Sequence, residues 1–573
     1  MKTLDLTRRR FLGAAVGLAT PFCLLSFKDL RAAKETREIF PWSVASGDPT
    51  PFGAMLWTRL EPSLWRQDEP VFFELSETGD FSRPMAQGRI EGRDAGPRTD
   101  YTVKADTDGL LAPNRSYFYR FLYRGAASPT GKCHTLPAPR EPLGRLVLGV
   151  VTCQDYSAGY YGAFWHLAQE PEVRFVLHLG DAIYETAYSP RVYPQRKIEL
   201  PSGSSIAMGL EDYRSLWRTY RSDPNFQRAL EEKTFIFIWD DHETANDLYW
   251  DAALDCPAVP DHPYATEPQY ASRRPELLSR LRLDAMRAWS EYIPARIEPK
   301  EGAAHPHKYF SIYRDFLFGD LAHLVLTDER SYRLPHPCGE KKSQRFAAMG
   351  CDARFDPSRT MLGAEQKAWF LDKMLAPSSL WKLWGNEVCL SPLSFGQMPI
   401  TLDSWDGFAS ERKEILLALA RSGQKNLIVL TGDLHAYLVG ELSLEALPGF
   451  FMAKEENRIG VEYMTPSVTS SNYLGDSLLA LHSPLTLDAL QRGALAATNP
   501  HIRYFNASRF GYSTLELTRA FARYRAYCVD KTKSSDAAKN LLTDWITPAG
   551  SQRAFAVGEG LSAKPPAEVL DTL

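Results

Sequence analysis

Four separated segments of the chain carry thiol, carboxylate, phenol and imidazole groups at spacings that suit metal binding. The candidate ligands are Cys153, Asp181, Tyr184, Asp241, His242, Asn246, Asp433 and His435. Asp433 and His435 are two residues apart, so in an extended segment both side chains face the same side. Thiolate, phenolate, carboxylate and imidazole ligands together suit iron better than magnesium. The pattern therefore predicts a metal centre.

Each candidate residue also has an ordinary structural interpretation. A single cysteine is more often a small buried side chain than a ligand, and an aspartate after glycine commonly caps a helix or a turn. Tyrosine and histidine can belong to the core with their polar atoms hydrogen-bonded, and Asn246 can cap a helix. Gathered in one crevice, however, the carboxylates would repel each other without a cation. Joint placement therefore favours the metal-site hypothesis.

The candidate ligands follow apolar segments of the kind that form buried strands. These segments are 145–151, 174–179, 234–239, 323–327, 383–384 and 426–431. Near-continuous apolar runs are typical of strands covered on both faces by helices. Since ligands collect at the carboxyl ends of such strands, the polar groups after them are predicted to form one site in an α/β fold.

The N-terminal quarter of the chain has a different pattern. Residues 40–137 contain short alternating segments separated by Gly, Pro, Asp and Asn, as in the aromatic run 117–124. This pattern predicts a small all-β immunoglobulin- or fibronectin-like sandwich. The proline-rich stretch 135–144 is predicted to be a stiff linker. We therefore expect an N-terminal domain at 34–140 and a catalytic α/β domain at 141–573.

Residues 1–33 are predicted to be an export signal. They carry a net charge of +4, and Arg8-Arg9-Arg10 before an apolar stretch resembles the twin-arginine consensus. The stretch contains Pro21 and is only moderately apolar, so we expect a cleaved signal and no stable membrane anchor. An amphipathic N-terminal helix is the alternative. The prediction implies the twin-arginine translocase as a partner during export and a periplasmic or secreted location.

The overall composition limits the other partners. With 66 basic and 70 acidic side chains, the chain has no basic surplus, so no nucleic-acid-binding surface is evident. An oxidising compartment would permit up to three disulfides, of which Cys338–Cys351 is the pair favoured by sequence. Buried free thiols are an equally good interpretation of these cysteines.

Taken in order, these motifs resemble the alkaline phosphatase D (PhoD-like) family of metallophosphoesterases. The resemblance rests on Cys153, on Gly180-Asp181-x-x-Tyr184-Glu185, on Trp239-Asp240-Asp241-His242-Glu243-x-x-Asn246 and on Gly432-Asp433-x-His435. It extends to Ala45–Pro51, Leu56–Arg59, Arg330–Arg333 and Pro466–Ser470, and so spans nearly the whole mature chain. It implies a four-layer α/β/β/α catalytic fold.

The resemblance also implies roles for individual residues. Ferric iron would be bound by Cys153, Asp181, Tyr184 and His435, and calcium would share Asp181 and bind Asn246 and Asp433. Asp241 and His242 occupy the place of an Asn-His pair in related enzymes. They are the catalytic candidates, with His242 orienting phosphate or protonating the leaving group. Ala182 replaces an arginine that some members carry directly after the motif aspartate.

The implied activity is hydrolysis of small-molecule phosphate monoesters or diesters by a metal-activated hydroxide. Arg330 or Lys382 could supply positive charge for the phosphate. A phosphodiesterase or phospholipase D-like enzyme, with monoester hydrolysis as a side activity, is an alternative. A protein that captures phosphate without catalysis is a further alternative, from another functional class.

Overall fold

The computed structural model describes residues 34–187, 193–346, 348–444, 457–471 and 498–557. The predicted export signal at 1–33 lies outside these residues. The strands are β1 Lys34–Glu35, β2 Val44–Thr50, β3 Gly53–Arg59, β4 Val71–Ser76, β5 Ala86–Ile90, β6 Thr102–Asp106, β7 Ser116–Tyr123, β8 Ala126–Ala127, β9 Gly131–His134, β10 Arg145–Val151, β11 Phe175–Leu179, β12 Thr234–Ile238, β13 Tyr249–Asp251, β14 Cys256–Ala258, β15 Arg314–Phe318, β16 Ala322–Leu326, β17 Trp381–Gly385, β18 Ser394–Phe395, β19 Met398–Pro399, β20 Leu427–Thr431, β21 Tyr437–Ser443, β22 Arg458–Met464, β23 Ile502–Asn506, β24 Gly511–Thr518, β25 Phe521–Val529, β26 Lys539–Pro548 and β27 Phe555–Ala556.

The α-helices are α1 Gly162–Ala168, α2 Leu210–Tyr220, α3 Pro224–Glu232, α4 Pro263–Thr266, α5 Arg274–Tyr292, α6 Pro306–Tyr309, α7 Lys342–Arg345, α8 Gly363–Leu375 and α9 Ala409–Arg421. Short 3₁₀ helices lie at Gly92–Ala95, Pro97–Thr99, Pro194–Arg196, Pro268–Arg273, Asp352–Phe355 and Trp405–Phe408. The predicted α/β class is confirmed: the chain is a mixed α/β protein with several sheets.

Two large sheets contain the strands that precede the candidate ligands. One has ten strands in the order β27-β26-β25-β24-β10-β11-β12-β2-β3-β6, with β10, β11 and β12 parallel. The other has seven strands in the order β15-β16-β17-β20-β22-β21-β23, with β16, β17, β20 and β22 parallel. Every residue of β11, β12, β16, β17 and β20 is buried, which agrees with the apolar runs in the sequence.

Hydrophobic packing holds the two sheets together. A single cluster contains Leu177 and Ile236 of the ten-stranded sheet and Leu324 and Ile428 of the seven-stranded sheet. A second cluster joins the seven-stranded sheet to α8 and α9. On the ten-stranded sheet, α1 and α3 contribute aromatic side chains to the first cluster. The contacts bring the carboxyl ends of the two sets of parallel strands close together, while the finer four-layer description stays a prediction.

The N-terminal strands divide between two sheets. Strands β1, β4, β5, β7, β8 and β9 form a separate six-stranded sheet. Strands β2, β3 and β6 instead extend the ten-stranded sheet, since β2 pairs with β12 through Ser46 and Gly47. A Cβ atom at Gly47 would lie 2.5 Å from the Pro294 carbonyl oxygen, so this close approach requires glycine. Strand pairing therefore joins residues from both sides of the predicted boundary near residue 140 in one sheet. The domain division stays a prediction.

The disulfide predicted between Cys338 and Cys351 is present. Among the described residues, five other cysteines are free thiols: Cys133, Cys153, Cys256, Cys389 and Cys528. The remaining permitted disulfides are therefore not formed in this part of the chain.

Candidate metal centre

The candidate ligands lie where the parallel strands of both sheets end. Cys153 follows β10, Asp181 follows β11, and Asp433 and His435 follow β20. All four have left-handed backbone torsions, with φ of 55°, 54°, 60° and 55° respectively. This conformation is uncommon for residues other than glycine. Each chain segment therefore turns sharply as it leaves its strand.

The first group of potential ligands combines four different side chains. Ligand atoms of Cys153, Asp181 and His435 lie within 4.8 Å of one another. The Tyr184 hydroxyl donates a hydrogen bond to Asp181 Oδ2 at 3.0 Å and lies 3.1 Å from His435 Nε2. The Nδ1 atom of His435 is 2.7 Å from the Ser471 carbonyl oxygen, which fixes the proton on Nδ1. Nε2 is thereby free of its proton and faces the group, as a metal ligand would.

The chemistry of this group fits a cation. Burial raises the pKa of Cys153, Asp181 and Tyr184 well above their ordinary values, and mutual repulsion adds to the rise. Burial lowers the pKa of His435 to about 4, so its imidazole is neutral. A bound cation would reverse the first effect, because it stabilises thiolate, phenolate and carboxylate in the same place. The residues present therefore fit a metal ion.

A second set of carboxylates adjoins the first. Ligand atoms of Asp181, Asp241 and His242 lie within 4.8 Å of one another, as do those of Asp240, Asp241 and Asp433. Asp241 thus belongs to both groups. Asp240, which sequence reasoning does not select, is fully buried, and its Oδ2 has no hydrogen-bond partner. The sequence feature that could have identified Asp240 as part of the group is its position next to Asp241 at the end of an apolar strand.

Neighbouring carboxylates favour the charged form of His242, which lies at the edge of the group. Its Nδ1 lies 2.7 Å from Glu185 Oε2, and its ring lies 4.1 Å from the Tyr184 ring, centroid to centroid. Burial disfavours the charge, but Glu185, Asp181 and Asp241 outweigh burial and raise the pKa of His242 well above its ordinary value. The side chain is 18% exposed, so an imidazolium can meet a phosphate ester there. Glu185 stands in the recognised motif, but sequence reasoning assigns no role to it.

Asn246 is placed differently from the other predicted ligands. Its backbone N–H donates to Glu185 Oε1 at 3.0 Å, and the residue is half-buried. Within the described ranges, the structure records no hydrogen bond from its side-chain amide. The predicted contact of Asn246 with calcium therefore stays a prediction.

Buried glutamates fix the loops that carry the ligands. Glu243 Oε2 accepts from the backbone N–H groups of Asp181 and Asp240, at 3.0 and 2.9 Å. Glu243 Oε1 accepts from the N–H of Ala182 at 2.7 Å. One side chain therefore connects the loop after β11 to the loop after β12. The sequence signal for this role is the place of Glu243 within the motif that begins at Trp239.

Glu329 and Glu387 make a similar connection in the other sheet. The backbone N–H of Glu329 donates to Glu387 Oε2 at 2.8 Å, and that of Glu387 donates to Glu329 Oε2 at 3.0 Å. Both side chains are fully buried. Burial raises the pKa of Glu329 to about 8, and burial together with the Glu329 carboxylate raises that of Glu387 well above its ordinary value. Burial therefore favours the protonated form of both carboxyl groups.

The two cations suggested for phosphate contact lie elsewhere. Arg330 is fully buried behind the carboxylates, where it binds aspartates rather than facing solvent. Lys382 lies on β17, away from that strand's carboxyl end, and its Nζ donates to the carbonyl oxygens of Lys373 and Ala376. The prediction that Lys382 faces the site is therefore wrong. It neutralises the C-terminal end of α8 instead.

With this geometry in view, the comparisons with known proteins identify the class. Residues 148–526 match the family model of PhoD-like phosphatases, and residues 26–137 match the model of the PhoD-like phosphatase N-terminal domain. The chain belongs to the PhoD-like phosphatase family and is a phosphoesterase.

Two individual proteins are similar over most of their length. Alkaline phosphatase D of Bacillus subtilis (strain 168) is 29% identical over 528 residues, which cover 89% of this chain and 82% of that protein. The solved structure of PhoD matches with a TM-score of 0.76 at 26% identity, covering 91% of this chain and 93% of that one. Among the described residues, no helix has the length and apolar character needed to cross a bilayer.

Proposed function

We propose that this chain is an exported, metal-dependent phosphoesterase whose ferric iron is bound by Cys153, Asp181, Tyr184 and His435. Calcium would share Asp181 and bind Asn246 and Asp433. One observation carries the proposal: a thiol, a carboxylate and an imidazole from both sheets lie within 4.8 Å of one another. A phenol lies within hydrogen-bonding distance of the carboxylate and the imidazole. Such a set is stable in ionised form only beside a cation.

The residues around the metals have separate roles in the proposed reaction. Bound cations would acidify a water molecule and offset the charge that develops on the phosphoryl oxygens. His242, kept protonated by Glu185, donates a proton to the leaving oxygen or a hydrogen bond to the phosphate. Asp241 accepts the backbone N–H of Asp247 at 2.5 Å through Oδ2, which fixes the orientation of its carboxylate. Asp241 would therefore act by holding a cation rather than by moving a proton.

Substitution of Asp181 and His435 tests the metal assignment. We expect Asp181→Ala and His435→Ala each to lose bound metal and turnover together. His501 offers a matched control, because its Nε2 also bonds a carbonyl oxygen, that of Pro392 at 2.8 Å, but it belongs to neither ligand group. His501→Ala should keep its metal and activity. Full metal content and full turnover in either Asp181→Ala or His435→Ala would refute the assignment.

We further propose that monoesters and diesters are both substrates. Ala182 is uncharged and fully buried, and its N–H is occupied by Glu243, so the position after Asp181 cannot select the second negative charge of a monoester. The kcat/KM values for p-nitrophenyl phosphate and bis-p-nitrophenyl phosphate measure the preference. Phosphate binding without turnover of either ester would instead support the non-catalytic alternative.

Export through the twin-arginine pathway is proposed from the charge pattern of residues 1–33 alone. Replacement of Arg8 and Arg9 by lysine should leave the precursor inside the cell, whereas replacement of Lys28 should not. Normal export of the double-lysine variant would contradict the pathway.

We also propose the four-layer α/β/β/α arrangement, which the packing of α8 and α9 on the seven-stranded sheet supports.

A further inference from the structure

Arg330 lies at the centre of a buried ionic network behind the candidate metal centre. Its side chain is 0% exposed. It donates to Asp240 through Nε, to Asp403 Oδ2 through Nη1 at 2.5 Å and to Asp433 Oδ1 through Nη2 at 2.7 Å. Nη1 also lies 3.7 Å from Asp241 Oδ2. All three nitrogens of the guanidinium group therefore face carboxylates.

These aspartates fall into two sets, both in contact with the guanidinium group. Asp240, Asp241 and Asp433 form one of the groups that could hold a cation. Asp403 is instead anchored in the protein: it accepts hydrogen bonds from Arg333, and its Oδ1 lies 2.8 Å from His336 Nε2. Arg330 thus connects an anchored carboxylate to the carboxylates of the metal centre.

The anchor continues away from the centre through His336. The Nδ1 atom of His336 lies 2.7 Å from Glu340 Oε2, so the imidazole is held between two carboxylates. Asp247, His336 and Asp403 also lie within 4.8 Å of one another, as metal ligands would. Arg345 binds Asp247, however, and Arg330 and Arg333 bind Asp403, so guanidinium groups already neutralise these carboxylates. We therefore interpret this cluster as support for Arg330 rather than as a metal site.

We propose that Arg330 is a positioning residue of the metal centre. Its guanidinium group occupies one oxygen of Asp433 and one of Asp240, and it leaves the other oxygen of each to face a cation. The proposal rests on the proposed metal-dependent function. The unpartnered Asp240 Oδ2, buried beside Asp241 and Asp433, is the independent observation that supports it. Arg330 also offsets part of the negative charge that the aspartates would have before metal binds.

The geometry requires arginine. A planar guanidinium group directs its donors along several fixed directions, whereas a lysine ammonium is a single point of charge on a flexible stem. Lysine at position 330 would keep the charge but could not hold Asp240, Asp403 and Asp433 in their present orientations. Changes in groups that orient metal ligands typically lower metal affinity by about 10- to 100-fold.

Arg333 provides a closely matched control. It is fully buried and binds Asp403, as Arg330 does, but its other partners are the carbonyl oxygens of Leu248 and Asp403. No hydrogen bond or ion pair recorded in the described part of the chain joins it to Asp240, Asp241 or Asp433. Arg333→Lys therefore disturbs the same anchor without releasing the carboxylates of the centre.

The experiment compares Arg330→Lys with Arg333→Lys in the full-length holoprotein. Each protein is dialysed against a series of calcium buffers, bound Ca²⁺ is counted by mass spectrometry, and kcat and KM are measured at each concentration. We expect about 10- to 100-fold weaker calcium binding in Arg330→Lys, with a lower kcat that added Ca²⁺ partly restores. Arg333→Lys should lose thermal stability but keep the calcium affinity of the wild type.

Equal calcium affinities in Arg330→Lys and the wild type would overturn the role of Arg330, as would equal losses in both lysine variants. A wild-type protein that binds no metal would instead contradict the proposed function, and with it this inference. If Arg330→Lys does not fold, Asp403→Asn weakens the anchor behind Arg330 while every carboxylate of the centre is kept. We then expect a smaller loss of calcium affinity, and an unchanged affinity would again overturn the proposal.

Discussion

Replacement of Glu243 by glutamine would test how the ligand loops are held. The carboxylate accepts three backbone N–H groups, from Asp181, Ala182 and Asp240, at 2.7–3.0 Å. Burial raises the pKa of Glu243 to about 7, so at pH 8 the wild-type side chain is mainly ionised. The substitution then exchanges a charged acceptor for a neutral amide of nearly the same shape.

The cost follows from the two oxygens of Glu243. If the glutamine oxygen takes the place of Oε2, it keeps the bonds to Asp181 and Asp240, and the amide NH₂ then faces the N–H of Ala182. An unpaired buried N–H costs about 1–3 kcal/mol. The two remaining bonds lose the contribution of a charged acceptor, about 1 kcal/mol each. We therefore expect the free energy of unfolding to fall by about 3–5 kcal/mol.

Urea unfolding at pH 8 measures this loss, and metal analysis of the folded protein measures its consequence. Glu411→Gln is the matched control: Glu411 also accepts three bonds, from the N–H groups of Met361 and Leu362 and from the Thr360 hydroxyl, at 2.5–3.3 Å. Both variants should lose comparable stability. Only Glu243→Gln should bind metal more weakly, since only Glu243 holds the loop of Asp181.

Two results would refute this reasoning. A Glu243→Gln protein as stable as the wild type would mean that its bonds contribute little. A loss of metal as large in Glu411→Gln as in Glu243→Gln would mean that general destabilisation, rather than the position of the Asp181 loop, controls metal binding.

Three further predictions concern other parts of the structure. Tyr184→Phe should remove the visible tyrosinate-to-iron absorption band of the holoprotein and lower stability by about 1 kcal/mol; an unchanged spectrum would exclude Tyr184 as an iron ligand. Serine at both Cys338 and Cys351, 13 residues apart, should reduce the free energy of unfolding by up to about 3 kcal/mol in urea titrations, because it opens a closed loop; an unchanged midpoint would contradict this. Because burial raises the pKa of Glu329 from 4.5 to about 8, the folded chain binds more protons than the unfolded chain in that window. Stability measured in urea titrations should therefore fall as pH rises from 4.5 to 8, by up to about 1.4 kcal/mol per pH unit, and Glu329→Gln should flatten this slope. An equally steep slope in the variant would contradict the role of Glu329.

The sequence predicts the buried strands well because their side chains meet apolar surroundings on both faces. β11 and β12 read as uninterrupted apolar runs, and every residue of both is buried. Polar residues that follow such strands can only lie at the rim of a sheet, which is why Asp181, Asp241 and Asp433 can be grouped from the sequence and do lie together.

The strand pairing of the N-terminal region could not be predicted in the same way. β2 and β3 are short strands that are buried at nearly every position, and which sheet they join depends on contacts with residues far along the chain. β2 meets β12 at Ser46 and Gly47, almost 190 positions before their partners Thr234 and Phe235. Only the close approach at Gly47 distinguishes this edge, and a single glycine in a strand pattern equally often marks a bulge or a tight bend.

Charged residues with structural roles escape sequence reasoning for a statistical reason. Glutamate and arginine are mostly exposed in proteins, so Glu243 and Arg330 are ordinarily interpreted as surface residues. In this fold both are buried because unusual partners are available: free backbone N–H groups for Glu243, and several aspartates for Arg330. Those partners come from different strand ends, and they become visible only when the two sheets are packed together.

The backbone at the strand ends supports a binding role for the same residues. Left-handed torsions cost about 1–2 kcal/mol for a residue with a Cβ atom, and Cys153, Asp181, Asp433 and His435 all adopt them. Glycine at any one of the four positions would relieve that cost but would remove a side chain that could bind a metal. Strained residues persist where the surrounding structure holds them and where function requires them. Aspartate and histidine adopt left-handed torsions more readily than other residues with a Cβ atom. The torsion of Cys153 is therefore the least favourable of the four, and it is the one that most favours a binding role over an ordinary turn.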